Sequence, residues 1–370
     1  MAVLVTACSG GELGPPGSLP EGPSALVDLN HPDLPPPRIE PALIRSGGPP
    51  PDGIPPVDNP KFQTIEEADV SLSEQEAVIV LDLEGDARAY PIDILMWHEI
   101  VNDTVGDVPV TITYCPLCNS AISYERTING VETTFGTSGM LYGSALVMYD
   151  RATESLWTHF DGLAVAGVLT GTWLTPIASP LIAWKEFVTA YPEGKVLSRD
   201  TGFARQYGRN PYLLYDNPET SPAFFRGEVD DRLLIKQRVV GVVIDETAVA
   251  YTLEHVSGVE SKATHGVVGS TPIVIFWLAG QVSALDQADT SKGRQVGSVA
   301  VFSPLLDGRQ LTMEAVGAGF TDLETGSTWD MTGRATSGPL TGSRLERIPH
   351  LDTFWFAWAT YQPDTDLIDG

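Results

Sequence analysis

The chain has 370 residues, 42% of them hydrophobic, with 36 glycines and 29 prolines, enough for one large domain or two ordinary ones with a buried core and frequent turns. Its formal net charge is −26, a surface that repels a phosphate backbone and argues against nucleic acid as a partner. No run of 18 apolar residues occurs, so no membrane-spanning helix is expected.

The N-terminal stretch Val5-Thr6-Ala7-Cys8 resembles a bacterial lipobox, in which small residues precede a cysteine that becomes acylated. The apolar stretch before it is short and lacks a basic flank, so residues 1–8 read as the remnant of a lipoprotein signal, with Cys8 as the lipidated residue. Fifteen of the 29 prolines follow within residues 11–60. Residues 9–60 are therefore expected to be an extended, stiff spacer between a lipid anchor and a folded body. Such a protein belongs outside the cytoplasm, at the cell surface or in the periplasm.

Val78–Tyr90 reads as two short strands around Gly85-Asp86, and Val110–Tyr114 alternates as a half-buried strand does. Ile122–Phe135 is predicted to be a hairpin, because Asn129-Gly130 suits the positive φ angles of a type I′ turn. Leu146–Phe160 is a second hairpin, turning at Asp150–Glu154. A helix is predicted over Leu181–Tyr191, with Trp184, Phe187, Val188 and Tyr191 on one stripe.

These elements recur. Val78–Leu95 matches Val239–Val256, Val105–Tyr114 matches Val268–Trp277, and Tyr124–Phe135 matches Phe302–Met313. Asp150–Trp157 matches Asp322–Trp329, and Gly167–Leu174 matches Gly338–Leu345. The matches are collinear, and most of the drift in their spacing falls at one insertion near Leu285–Gly297. A second helix at Thr353–Tyr361 mirrors the first, and Asp307-Gly308 mirrors Asn129-Gly130. The expected fold is mainly β with a few helices, an α+β protein of two pseudo-symmetric β-rich repeats, each ending in a helix. The first repeat covers 61–199, a turn-rich connector 200–235, and a degenerate second repeat 236–370.

Cys115-Pro116-Leu117-Cys118 carries two of the three cysteines. The second repeat has Leu278-Ala279-Gly280-Gln281 at that place, so the scaffold folds there without thiols. That asymmetry points from a staple towards a site. A disulfide across two intervening residues closes a short loop and restricts the unfolded chain little, well under the ~3 kcal/mol of a fifteen-residue loop. Three readings stand. Two thiolates with further ligands would bind a soft metal, copper or zinc, with His98 and His159 as candidate nitrogen donors and Met148 and Met140 as thioethers. Alternatively the pair cycles as a dithiol, although a hairpin rather than a thioredoxin-like helix follows it. The third reading is an inert disulfide in a non-catalytic cell-surface module that binds a protein or glycan. Glu99, Asp103 and Asp150 are candidate acid–base carboxylates.

The stretches Ala87–Asp103, Tyr114–Arg126, Phe135–Gly167 and Tyr207–Tyr212 resemble the bacterial and archaeal "domain of unknown function 3179" family. The resemblance implies a secreted or lipid-anchored protein and adds weight to Cys115, Cys118, His98, Asn102 and Asp103. It implies no reaction, enzymatic or otherwise.

Overall fold

The computed structural model describes residues 15–370. The expected lipidation site, Cys8, lies outside these residues. No described helix is long and apolar enough to cross a membrane. The architecture is α+β and mainly β, built from several small sheets.

In the first half, β1 (Ala77–Leu83) and β2 (Asp86–Pro91) form a hairpin, and helix α1 (Ile92–His98) follows directly. Strands β3 (Ile100–Val105), β4 (Val108–Cys115) and β5 (Ser120–Glu125) make an antiparallel sheet. A four-stranded meander comes next, β6 (Phe135–Tyr142), β7 (Ala145–Asp150), β8 (Leu156–Thr158) and β9 (Ala164–Ala166). The half closes with β10 (Leu181–Ala183), helix α2 (Trp184–Ala190) and β11 (Lys195–Leu197). Strand β10 pairs with β1 antiparallel, and β11 pairs with β2 in parallel.

The second half repeats this order. It runs β12 (Arg238–Ile244), β13 (Thr247–Thr252), α3 (Leu253–Val256), β14 (Ser261–Val268), β15 (Thr271–Leu278) and β16 (Ser298–Phe302). The meander is β17 (Met313–Val316), β18 (Gly319–Asp322), β19 (Thr328–Trp329) and β20 (Ala335–Ser337). Then come β21 (Leu351–Phe354), α4 (Trp355–Tyr361) and β22 (Asp366–Ile368). The sheet order β10-β1-β2-β11 returns as β21-β12-β13-β22, including its one parallel pair. The turn chemistry repeats as well. Asn129-Gly130 has φ values of 50° and 80°, and Asp307-Gly308 has 50° and 77°, as a two-residue hairpin turn requires.

Both late helices begin later than the expected Leu181 and Thr353. Leu181–Ala183 pairs with Ala77–Ile79, and Leu351–Phe354 pairs with Arg238–Gly241. Hydrogen bonding to a neighbouring strand wins over helical propensity there, so the helices start at Trp184 and Trp355.

The two halves interlock. Trp184 and Phe187 of α2 share a core with Phe276, Phe302, Phe320 and Trp329 of the second half. In exchange, Trp355, Phe356 and Trp358 of α4 share a core with Tyr114, Cys115, Cys118 and Trp157 of the first.

The expectation of a detached proline-rich spacer is corrected over residues 15–60. Ala25 is buried with Val147, Leu156 and Val165, and Leu26, Leu29, Leu34, Ile39 and Ile44 pack around them. Arg45–Ser46 adds an edge strand to β6, and Val57 bridges to Val101. Extended, proline-rich backbone is suited to lie along a sheet edge, so the segment serves as a strap.

Candidate metal centre

Side chains on a strand alternate faces, so Thr113 and Cys115 of β4 point the same way. Across the ladder Thr113 faces Ile122 and Cys115 faces Ser120 of β5. The tight connection between these strands carries Cys118 and then Asn119, which sits at φ 50°, a conformation asparagine tolerates better than most residues. His159 follows β8; its N–H donates to Leu146 O at 3.1 Å, and its carbonyl accepts from Tyr124 Oη at 2.9 Å. The result is a buried cluster in which the Sγ atoms of Cys115 and Cys118 and a ring nitrogen of His159 all lie within 4.8 Å of one another. Both cysteines are free thiols.

The hydrogen bonds define which histidine nitrogen faces the sulfurs. Thr113 Oγ1 donates its proton to Ile122 O at 2.8 Å. It must therefore accept at its other contact, from His159 Nδ1–H at 2.9 Å. Nε2 is left with its lone pair, 2.7 Å from Ser120 Oγ and 3.8 Å from Cys118 Sγ. Ser120 donates to Nε2 and can accept the Cys118 S–H at 2.9 Å.

Burial dominates the protonation equilibria. It pushes the Cys115 thiol well above its ordinary pKa and pulls His159 below its own. At neutral pH the histidine is neutral and Cys115 is protonated. Glu99 has its backbone at φ 58° and lies in electrostatic reach of Cys115; burial raises its pKa strongly. Tyr215, from the connector, donates to Leu117 O at 2.9 Å and so clamps the Cys-Pro-Leu-Cys turn from outside.

The family model described as "Protein of unknown function (DUF3179)" matches residues 51–365. The chain belongs to this family. No curated protein and no solved structure matches it.

The remaining candidate residues of this DUF3179 member fall elsewhere. His98 is not part of the cluster, which corrects its expected role as a thiol-side ligand. Its Nδ1 contacts Pro55 O at 2.7 Å and its Nε2 contacts Tyr207 Oη at 2.6 Å, and it is not among the residues that converge with the thiols. Asn102 ties strands together, donating to Asp58 Oδ1 and Phe135 O and accepting from Phe135 N. Asp103 is gripped by Arg88, with both oxygens at 2.8 Å, and by Tyr90 Oη at 2.6 Å. Asp150 caps its turn, accepting from Thr153 and from Trp157 Nε1 at 3.0 Å. Asp322, Thr325 and Trp329 repeat that arrangement in the second half, which marks it as architecture. Met148 is fully buried in the core that holds the thiols, while Met140 packs against the separate cluster around Ala25.

Thr113 and Ser120 are site residues that motif reading missed. Thr113 had a signal, since it stands two positions before Cys115 on an alternating strand. Ser120 had a weaker one, as the first residue after the motif on the returning strand.

Proposed function

We propose that the protein binds a soft metal ion, cuprous copper or zinc, through Cys115, Cys118 and His159, and that it does so outside the cytoplasm as a lipid-anchored protein. The observation that carries the metal reading is the convergence of two thiols on a histidine nitrogen whose lone pair is aimed by the Thr113 hydroxyl. Metal-binding histidines commonly have their second nitrogen held in this way, which fixes the tautomer and the ring plane.

The dithiol reading is weaker on chemical grounds. A thiol with its pKa pushed up by burial holds little thiolate at neutral pH and makes a poor nucleophile. Burial at 1% and 0% exposure also denies a partner disulfide its line of attack. A bound cation reverses the first problem, because it displaces the thiol protons and compensates the negative charge that the interior disfavours. Two soft thiolates and an imidazole suit cuprous copper; zinc needs a fourth ligand, for which the Ser120 hydroxyl stands beside Nε2.

The test is the metal content of the purified protein beside the Cys115→Ser/Cys118→Ser and His159→Gln variants. The expected result is about one metal per wild-type chain and a large loss in each variant. Equal metal in all three would remove the proposal. Localisation is tested separately, by fractionating cells that express the natural gene with or without Cys8→Ser. Membrane association that survives the substitution would remove the lipid anchor.

A further inference from the structure

A cavity of about 580 Å³ opens between the two repeats, within the range of small-molecule sites. Phe160 and Asp161, the residues immediately after His159, contribute to it with Trp173 from the first repeat. Glu246, Trp358 and Tyr361 contribute from the second. Phe160 and Tyr361 stack with centroids 4.4 Å apart and planes 17° from parallel. Trp173 is 60% exposed although its backbone bridges to Leu163. It offers a large apolar face that packing inside the chain does not use.

The charge of the cavity selects its ligand. Among the described residues that line it there is no lysine or arginine; Glu246 is an exposed carboxylate, and Asp161 is a second one whose pKa burial raises. His350, also on the wall, has Nδ1 2.9 Å from Ile348 O, and burial keeps it neutral. Anions are disfavoured. Asp161 accepts from Thr158 Oγ1 and from Leu163 N, both on Oδ1, which leaves Oδ2 with its acceptor capacity.

Glu246 is also where the repeats differ. It occupies the second turn position of the β12–β13 hairpin, at φ 66°, where the first repeat has Gly85 at φ 86°. A glutamate in that conformation carries strain that glycine does not.

We propose that this cavity binds an alkylammonium compound, with the cationic head facing Asp161 and Glu246 and its carbon substituents against Trp173 and Tyr361, the latter backed by the buried ring of Phe160. Aromatic faces attract cations through their quadrupole, and desolvation strengthens that attraction. The site does not depend on metal at the thiols. It touches them structurally through Ile122, which lines the cavity and whose carbonyl accepts the Thr113 hydroxyl.

Choline chloride is the probe, titrated into the full chain and followed by tryptophan fluorescence and calorimetry. Sodium chloride at equal ionic strength is the salt control and glucose the neutral control. The expected result is saturable choline binding that weakens about tenfold in Glu246→Gln and in Trp173→Ala, and is unchanged in Cys115→Ser/Cys118→Ser. Glu246 is exposed and has no structural hydrogen bond to lose, so its variant reports on binding with folding intact. No saturation beyond the sodium chloride response, undiminished binding in both pocket variants, or saturation by glucose in place of choline would each overturn the proposal.

Discussion

Phe354 donates its backbone N–H to the carbonyl of Cys118 at 3.1 Å, although the two residues belong to different repeats. Phe354 is the residue that opens helix α4, and the neighbouring Thr353 hydroxyl donates to the same carbonyl at 2.7 Å. The mirror contact exists as well. Ala183, which opens α2, donates its N–H to Ser298 Oγ at 2.9 Å, at the start of β16. Each repeat thus starts its late helix against the other repeat, and in the first repeat the contact falls on the turn that carries the thiols.

Thr353→Val tests this cover directly. It keeps the shape of a fully buried side chain and removes one hydrogen bond to the Cys118 carbonyl. The expected cost is about 1–3 kcal/mol, with faster reaction of the two thiols with an aromatic disulfide reagent under native conditions. Identical thiol kinetics in the variant and the wild type would show that the exchanged segment does not control access.

Thr113→Val tests the aiming of His159. The ring would keep its place between the strands but lose the acceptor for Nδ1–H. Metal affinity, measured by competition with a chelator, should drop roughly 10- to 100-fold while secondary structure by circular dichroism stays unchanged. An unaltered affinity would mean that the hydroxyl is incidental to the site.

Glu186 supplies a pH dependence with a definite sign. Burial raises its pKa from 4.5 to about 7, against hydrogen bonds from Ser298 Oγ and Ala183 N. The folded-state pKa lies above the unfolded one, so the native protein takes up this proton first as pH falls. The charged group destabilises the fold fully above pH 7, and the penalty is relieved between pH 7 and 4.5. Glu186→Gln should therefore stabilise by roughly 1–3 kcal/mol at pH 8 relative to its effect at pH 5. Denaturant titrations at the two pH values read this difference, and parallel shifts at both would refute it.

Gly241→Ala probes the packing under the inter-repeat cavity. A Cβ at Gly241 would stand 2.0 Å from the ring of Trp358, so the indole must move. The expected cost is about 1–3 kcal/mol of stability, seen as a lower melting temperature. A wild-type melting temperature would show that Trp358 is free to shift.

Much of this molecule was legible from its residues. Collinear similarity exposed the repeats, because turn residues such as Asn129-Gly130 and Asp307-Gly308 obey local rules. The sulfur asymmetry exposed Cys115 and Cys118, and His159 joined them because the second half has Met331, not a histidine, at its place. His98 shared that asymmetry yet serves a different contact, since a histidine at a helix end can equally satisfy a carbonyl and a tyrosine. The strap of residues 15–60 was misread because composition reports stiffness but not whether an exposed sheet edge awaits it. The exchange of α2 and α4 between halves was invisible, because an apolar stripe states that a face is buried and not against which partner.

The insertion at residues 279–297 stands where the first repeat has only the short Cys-Pro-Leu-Cys turn. With both exchanging segments on one polypeptide, closure over that turn is a unimolecular event. Two separate copies trading the same segments would come apart on dilution, and their sulfur centre would open with them. Here the closing segment is tethered at an effective concentration set by chain geometry, so the seal should hold however sparse the protein becomes.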